Sequence, residues 1–360
     1  MDQTDLNKHS FDQVVRVQTE AVTAYSGAKN GRPPDIKEVA RLAGVSPVTV
    51  SRALRQPDIV SAKTRERILQ VVRDTGYASN PHAVALRSGR STIVAAFVSN
   101  LLSQQYSQAV RACARRLEEH GYQLMVGQTS YSYAQERTAI NSLIALRPAA
   151  VFFTGVIELE EHRRQLKELD IPVVESWAYP RDPIDMLVGI SNTDAGRLAA
   201  EHLVERGYRQ LAYLGRSGGR GSLRLKGFQA RAAELGVEIV DTFLIDDITT
   251  LHAGRQACHR IFDAPRRFDA VFCANDLLGA GVLLEARQRR IRIPEELAIL
   301  TFGHNDLAEE LSPRLSAICF DVEQLGTRSA ALIIERLSNG NGKAALAECL
   351  DLQLHAGEST

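Results

Sequence analysis

Two short apolar-periodic stretches flanking Gly44-Val45-Ser46 constrain this chain more than any other feature of its sequence. Asp35 and Glu38 form a capping-box pair opening a first helix, with Ile36, Val39, Ala40 and Ala43 on its apolar face. After the three-residue turn, Ser46 is placed to cap a second helix and Pro47 suits its first position. That helix is expected to reach about Leu54, where Gln56-Pro57-Asp58 stops it. Ser61 caps a third, covering Arg65 to Thr75 and closed by Gly76. Helix, tight glycine turn, helix, loop, helix is the helix-turn-helix plan.

Charge singles out the same region. Lys plus Arg and Asp plus Glu both total 43, so the net charge is zero. Residues 31–90 nevertheless carry eleven basic against five acidic side chains, which leaves the rest of the chain acidic. A basic head on a mildly acidic body points to nucleic acid. The boundaries read as an N-terminal extension over 1–31, expected to be poorly ordered, and the three-helix domain over 32–78. A linker follows over 79–91. Within it Asn80 can cap and Pro81 can begin a helix of about seven residues, too short to hold alone in water.

From residue 92 the texture changes. Apolar runs at 93–98, 123–127, 150–153, 172–175, 210–215, 270–273 and 297–302 read as buried strands, mostly separated by amphipathic stretches of helical length. This is the doubly wound parallel α/β pattern. The strands outnumber what one sheet of five or six needs. The segment MLVGISNT (186–193) therefore reads as the passage between two lobes, the first over about 92–190 and 320–350, the second over about 191–319, within a body of 92–355. The five cysteines, Cys113, Cys258, Cys273, Cys319 and Cys349, are scattered, with no C-x-x-C pair, and read as single buried thiols in a reducing cytosol. No signal peptide and no 18-residue apolar run is read, which predicts a cytoplasmic protein and no membrane partner.

The stretch DIKEVARLAGVSPVTVSRALRQPDIVSAKTRERILQVVRDTGYASNPHAVALRSGRS, residues 35–91, resembles the N-terminal domain of the lactose/galactose repressor (LacI/GalR) family almost position by position. The resemblance implies a homodimeric, allosteric transcriptional repressor at the bacterial nucleoid, bound to a palindromic operator in double-stranded DNA. Pro47, Val48, Thr49, Ser51 and Arg52 are then placed toward base edges in the major groove, where Arg52 can make a bidentate contact to guanine, and Arg55 is a further DNA-binding residue. Ser51, Ser61, Thr64 and Arg65 offer hydroxyls or charge to phosphates, and Ser46, Ser61 and Thr64 can equally serve as helix caps. Asp35 departs from the family's usual Thr: it still caps, but a carboxylate cannot help hold a phosphate. The segment at 80–87 matches the hinge helix, which implies minor-groove contacts from Asn80, His82 and Ala83, with Leu86 as an apolar wedge in the central base step.

Residues 92–355 look like the sugar-binding body of the same family, which is periplasmic-binding-protein-like. The candidate effector contacts are Ser99, Tyr106, Glu175, Trp177, Arg224, Asn275, His304 and Asn305. Asn275 can alternatively cap the helix beginning at Asp276, and His304 can be an ordinary loop residue. Gly303 stands where most members carry an Asp that binds sugar hydroxyls. That feature, and Glu175-Ser-Trp177 followed by PIDMLVG, resemble the gluconate-repressor branch. A site with one carboxylate fewer suits a sugar acid, and Arg224 can pair with its carboxylate bidentately. Glu175 speaks against this unless it faces hydroxyls. Another sugar, a corepressor, a sugar-binding module and a sugar-modifying enzyme stay open as rivals. Against the enzyme, the stretch Arg216-Ser-Gly-Gly-Arg-Gly-Ser222 has the wrong glycine spacing for a phosphate loop and reads as a flexible crevice loop. No catalytic residue, metal ligand or cofactor is read.

Overall fold

The computed structural model describes residues 34–77, 91–129, 133–245, 250–263, 267–303, 305–339 and 345–360. The chain divides into two compact units, Met1–Ser91 and Thr92–Thr360. In the first, α1 (Ile36–Ala43), α2 (Pro47–Arg55) and α3 (Ala62–Thr75) are each capped as their sequences dictate. The Asp35 carboxylate accepts from the Glu38 amide at 2.8 Å. Gly44 ends α1 with φ of 62°, the left-handed geometry that a side chain would strain. Ser61 caps α3 directly, so that helix begins three residues earlier than Arg65. Val39, Ala43, Val50, Ala53, Ile68 and Val72 close a small core between the three helices.

The second unit holds two six-stranded sheets. Along the first, β1 (Ile93–Val98), β2 (Gln123–Gln128), β3 (Ala150–Phe153), β4 (Val173–Ser176), β5 (Met186–Gly189) and β11 (Leu346–Cys349) lie in the order β11-β5-β4-β3-β1-β2. The second comprises β6 (Leu211–Arg216), β7 (Ile239–Ile245), β8 (Ala270–Cys273), β9 (Ala298–Phe302), β10 (Ser316–Cys319) and β12 (Gln353–His355), in the order β12-β10-β9-β8-β6-β7. All pairings are parallel except β10 with β12. The segment MLVG is thus a fully buried strand, β5, and not part of an inter-lobe passage. Burial on both faces explains its continuous apolar run. The chain passes from one sheet to the other three times: after β5, after β10 and after β11.

Helices cover the sheets, among them α4 (Gln104–Glu118), α5 (Tyr133–Leu146), α6 (Glu160–Glu168), α7 (Asn192–Glu205), α8 (Gly219–Glu234), α9 (Leu251–Ala257), α10 (His259–Phe262), α11 (Asp276–Gln288), α12 (Asp306–Glu310) and α13 (Val322–Asn339). The glycine-rich stretch expected to be a loop runs from the end of β6 into the first turn of α8, with Gly219–Ser222 helical. A pair of glycines sets α8 against α7. A Cβ on Gly196 would lie 2.0 Å from the Arg224 carbonyl oxygen, and one on Gly227 would lie 1.9 Å from that of Thr193. The two backbones therefore touch where a side chain on either would hold them apart. The thiols of Cys113, Cys258 and Cys273 are buried as expected; Cys319 is half-buried and Cys349 exposed, because β11 is a margin strand. Among the described residues no helix is long and apolar enough to cross a membrane.

Candidate nucleic-acid face and ligand crevice

In the first unit, α2 buries Val50 and Ala53 completely, which turns Val48 and Arg52 outward. Val48 is 56% exposed, an apolar side chain that the small core does not use. Pro47 and Ser51, one helical turn apart, are half-buried beside this outward strip. Thr49 is held from below: its amide donates to the Ser46 hydroxyl at 3.2 Å, and the two hydroxyls are 2.9 Å apart. The Ser61 hydroxyl likewise donates to the Thr64 hydroxyl at 2.9 Å and accepts from the Thr64 amide at 3.4 Å. Both serines are helix caps. A capped helix start also presents backbone N–H groups to an anion, so capping and phosphate contact are compatible. Arg55 ends α2; Asn80, His82, Ala83 and Leu86 lie outside the described residues.

In the second unit, a crevice opens at the carboxyl ends of the strands, where open α/β sheets place their ligands. One part, about 250 Å³, is lined by Ser99, Thr154, Glu136 and Glu158 together with Arg216 and Arg220. An adjoining part, about 100 Å³, is lined by Gln105, Tyr106 and Trp177 from the first sheet's side and by Arg216, Arg220, Arg224, Asn275, Asp276 and Phe302 from the second's. Three arginines, each four residues from the next, thus reach one crevice from the end of β6 and the start of α8.

Their orientations are set by neighbours. Arg220 donates to the Tyr106 hydroxyl at 2.7 Å. Arg224 donates to the Asn192 side-chain oxygen and stacks 4.3 Å over the Phe302 ring, an arrangement that offsets part of the cost of enclosing a cation. Trp177 packs edge-on to Tyr106 at 4.7 Å and to Phe320 at 6.1 Å. Its backbone sits at φ 65°, strained for so large a residue, and its carbonyl accepts from Asn192 at 2.9 Å. Asn275 caps α11 through the Leu278 amide at 2.8 Å while also lining the crevice, so both roles suggested for it are geometrically open.

Asp276 is the buried acid of the smaller part. Its carboxylate accepts from the Leu277 amide at 2.9 Å, from Asn305 at 2.6 Å and from Gln105 at 3.4 Å. Burial holds its carboxyl above the ordinary range, against the pull of these donors. Asn305 is itself a cap, accepting from Ala308 at 3.0 Å, and so acts on the crevice through Asp276. Ser99 donates to the Thr154 carbonyl at 3.0 Å.

Glu175 does not join them. Fully buried, it accepts from the Ile157 and Ile184 amides at 2.8 Å each, with Arg163 at 3.6 Å. Both oxygens serve backbone groups beneath the crevice, which corrects its expected place among effector contacts. Burial raises its carboxyl as well. His304 lies outside the described residues. Arg216, Arg220, Gln105 and Asp276 were missing from the expected set. The repeat of arginine at every fourth position was a visible signal, hidden by the glycines around it. Among the described residues no group of His, Cys, Asp and Glu is arranged to hold a metal ion.

The pattern of the bacterial regulatory proteins of the lacI family matches residues 35–80, and that of the periplasmic binding protein-like domain matches residues 200–360. The chain is 34% identical over 337 residues to the HTH-type transcriptional regulator GntR of Pseudomonas aeruginosa, covering 91% of this chain and 96% of that one. A LacI-family transcriptional regulator from Silicibacter pomeroyi shares its structure with a TM-score of 0.82 at 29% identity, covering 91% and 99% of the two chains. The lac repressor dimer bound to operator and an anti-inducer has the same fold, with a TM-score of 0.78 at 23% identity and the same coverage.

Proposed function

The chain belongs to the lacI family of bacterial regulatory proteins, and on that premise we propose that it represses genes of sugar-acid utilisation. By membership it is a DNA-binding transcriptional regulator, and its relatives are regulators of transcription, not enzymes. In this reading residues 32–78 bind DNA, 79–91 tether, and 92–355 sense a small molecule in the bacterial cytoplasm. The protein works as a homodimer, so its operator is an imperfect palindrome matching the two-fold axis. Val48 and Arg52 face base edges, while Ser61 and Thr64 sit at phosphates.

One observation carries the effector class. The smaller part of the crevice sets three guanidinium groups, Arg216, Arg220 and Arg224, against the single carboxylate of Asp276 among the described residues. Such a balance favours an anion, and planar guanidinium groups suit a carboxylate. The larger part offers Ser99, Thr129 and Thr154 with two carboxylates, Glu136 and Glu158, partners for hydroxyl groups. Gluconate or a related aldonate fits this polarity, carboxylate toward Arg224 and polyol tail toward Thr154. Effector closure then alters the spacing of the two heads and releases the operator, with reciprocal coupling of the two affinities.

The test is fluorescence anisotropy of a duplex selected by the protein from a random-sequence pool, titrated with gluconate and other aldonates. Release of the duplex is expected. Tightened binding would mean a corepressor. No change with any aldonate, together with no heat of binding, would remove the sugar-acid assignment.

A further inference from the structure

Gln105 lies in the first turn of α4, on the first sheet's side of the crevice, yet it is 8% exposed and its amide points at a carboxylate on the second sheet's side. That carboxylate is Asp276, equally buried, which Asn305 holds at 2.6 Å through the same oxygen. What lets Gln105 cross is Gly303. A Cβ built there would lie 2.0 Å from the Gln105 amide nitrogen and 2.9 Å from its carboxamide carbon. Gly303 has φ 94° and its amide donates to the Ile318 carbonyl at 2.7 Å, so its backbone cannot drift away to make space. The next residue of α4, Tyr106, meets Arg220 from the opposite lobe. The first turn of α4 thus touches the second sheet's side at two points.

We propose that Gln105 is a positioning residue that clasps the two lobes across the crevice, seated in the space Gly303 leaves, and that this clasp sets how long the effector stays bound. The absent side chain at 303 then has two effects. It keeps a second acid out of the arginine-lined part, and it admits a neutral carboxamide from the other lobe. A clasp that exists only when the lobes are together favours the closed form, and a ligand enclosed by that form gains affinity in proportion. The part concerning residence time rests on the sugar-acid reading; the part concerning the clasp does not.

A double-mutant cycle in the full-length, ligand-free protein tests the clasp. Gly303→Ala is expected to lower the melting temperature of the body by about 4 °C in the parent but by about half that in Gln105→Ala, because only backbone strain remains once the amide is gone. Equal shifts in the two backgrounds would overturn the clasp. Stopped-flow measurement with gluconate tests its consequence. Gln105→Ala should raise the dissociation rate by about 3- to 10-fold with little change in the association rate. An unchanged dissociation rate would confine Gln105 to a structural role. Should gluconate fail to bind the parent at all, the effector assignment falls, while the thermal cycle still decides whether the lobes are clasped.

Discussion

In the first unit, Pro47, Val48, Ser51 and Arg52 come from six consecutive residues of one helix. In the second, Ser99, Tyr106, Trp177, Arg224 and Asn275 come from four different connections, and each needs its own strand end or helix start in place. The first arrangement is a local property of sequence, and the second is a property of packing. A substitution in α2 should therefore act on one contact, whereas a substitution behind the crevice should act on several at once.

The sharpest way to break this comparison is the glycine pair behind α8. Gly227→Ala should destabilise the body by about 3 kcal/mol in urea unfolding, because the intruding methyl meets backbone and not a side chain that can turn away. It should displace Arg220 and Arg224 together and abolish effector binding in calorimetry. A loss below about 1 kcal/mol would mean that α8 is not positioned by this contact. Next comes a single crevice contact. Arg224→Met should weaken gluconate by about 10- to 100-fold while leaving operator affinity without effector as it was. The matching change in the first unit, Arg52→Ala, should cost about 1–3 kcal/mol of operator affinity, confined to one base pair per half-site and silent toward gluconate. Loss spread evenly over unrelated duplexes would make Arg52 a phosphate contact.

The smallest effect concerns acid. Since burial lifts the Asp276 carboxyl above its ordinary value of 3.8, the native state is favoured by protonation. The associated stability is fully present below 3.8 and is lost as pH rises through the raised value. Stability of the parent relative to Asp276→Asn should fall over that window and then level off. A relative stability of the parent that instead falls on acidification would reverse the sign and remove desolvation as the dominant cause.

The same contrast explains what could be read in advance. The caps Asp35, Ser46 and Ser61 and the turn at Gly44 act within four residues, so the three helices were legible. Buried strands such as β1, β3 and β8 announced themselves as apolar runs. Five strands were not legible: β7, β11 and β12 occupy sheet margins with mixed burial, β10 (SAIC) lacks an unbroken run of large apolar residues, and β5 (MLVG) resembles a passage between lobes because the chain does change sheets directly after it. Glu175 was misplaced because nothing local distinguishes a carboxylate facing a ligand from one that satisfies the amides of Ile157 and Ile184, 18 and 9 residues away. Arg216 and Arg220 stand among glycines whose sequence pattern is that of a loop, whereas here Gly218 and Gly219 open a helix.

The threefold passage of the chain between sheets has a consequence for how the molecule comes into being. Neither sheet is encoded by one uninterrupted stretch: β11, at 346–349, completes the first, and β12, at 353–355, completes the second. On the ribosome, the first unit can fold early, but each half of the body waits for a strand that lies beyond residue 345. A nascent chain arrested before residue 340 would therefore carry a finished reading head and two sheets, each with an unfilled edge.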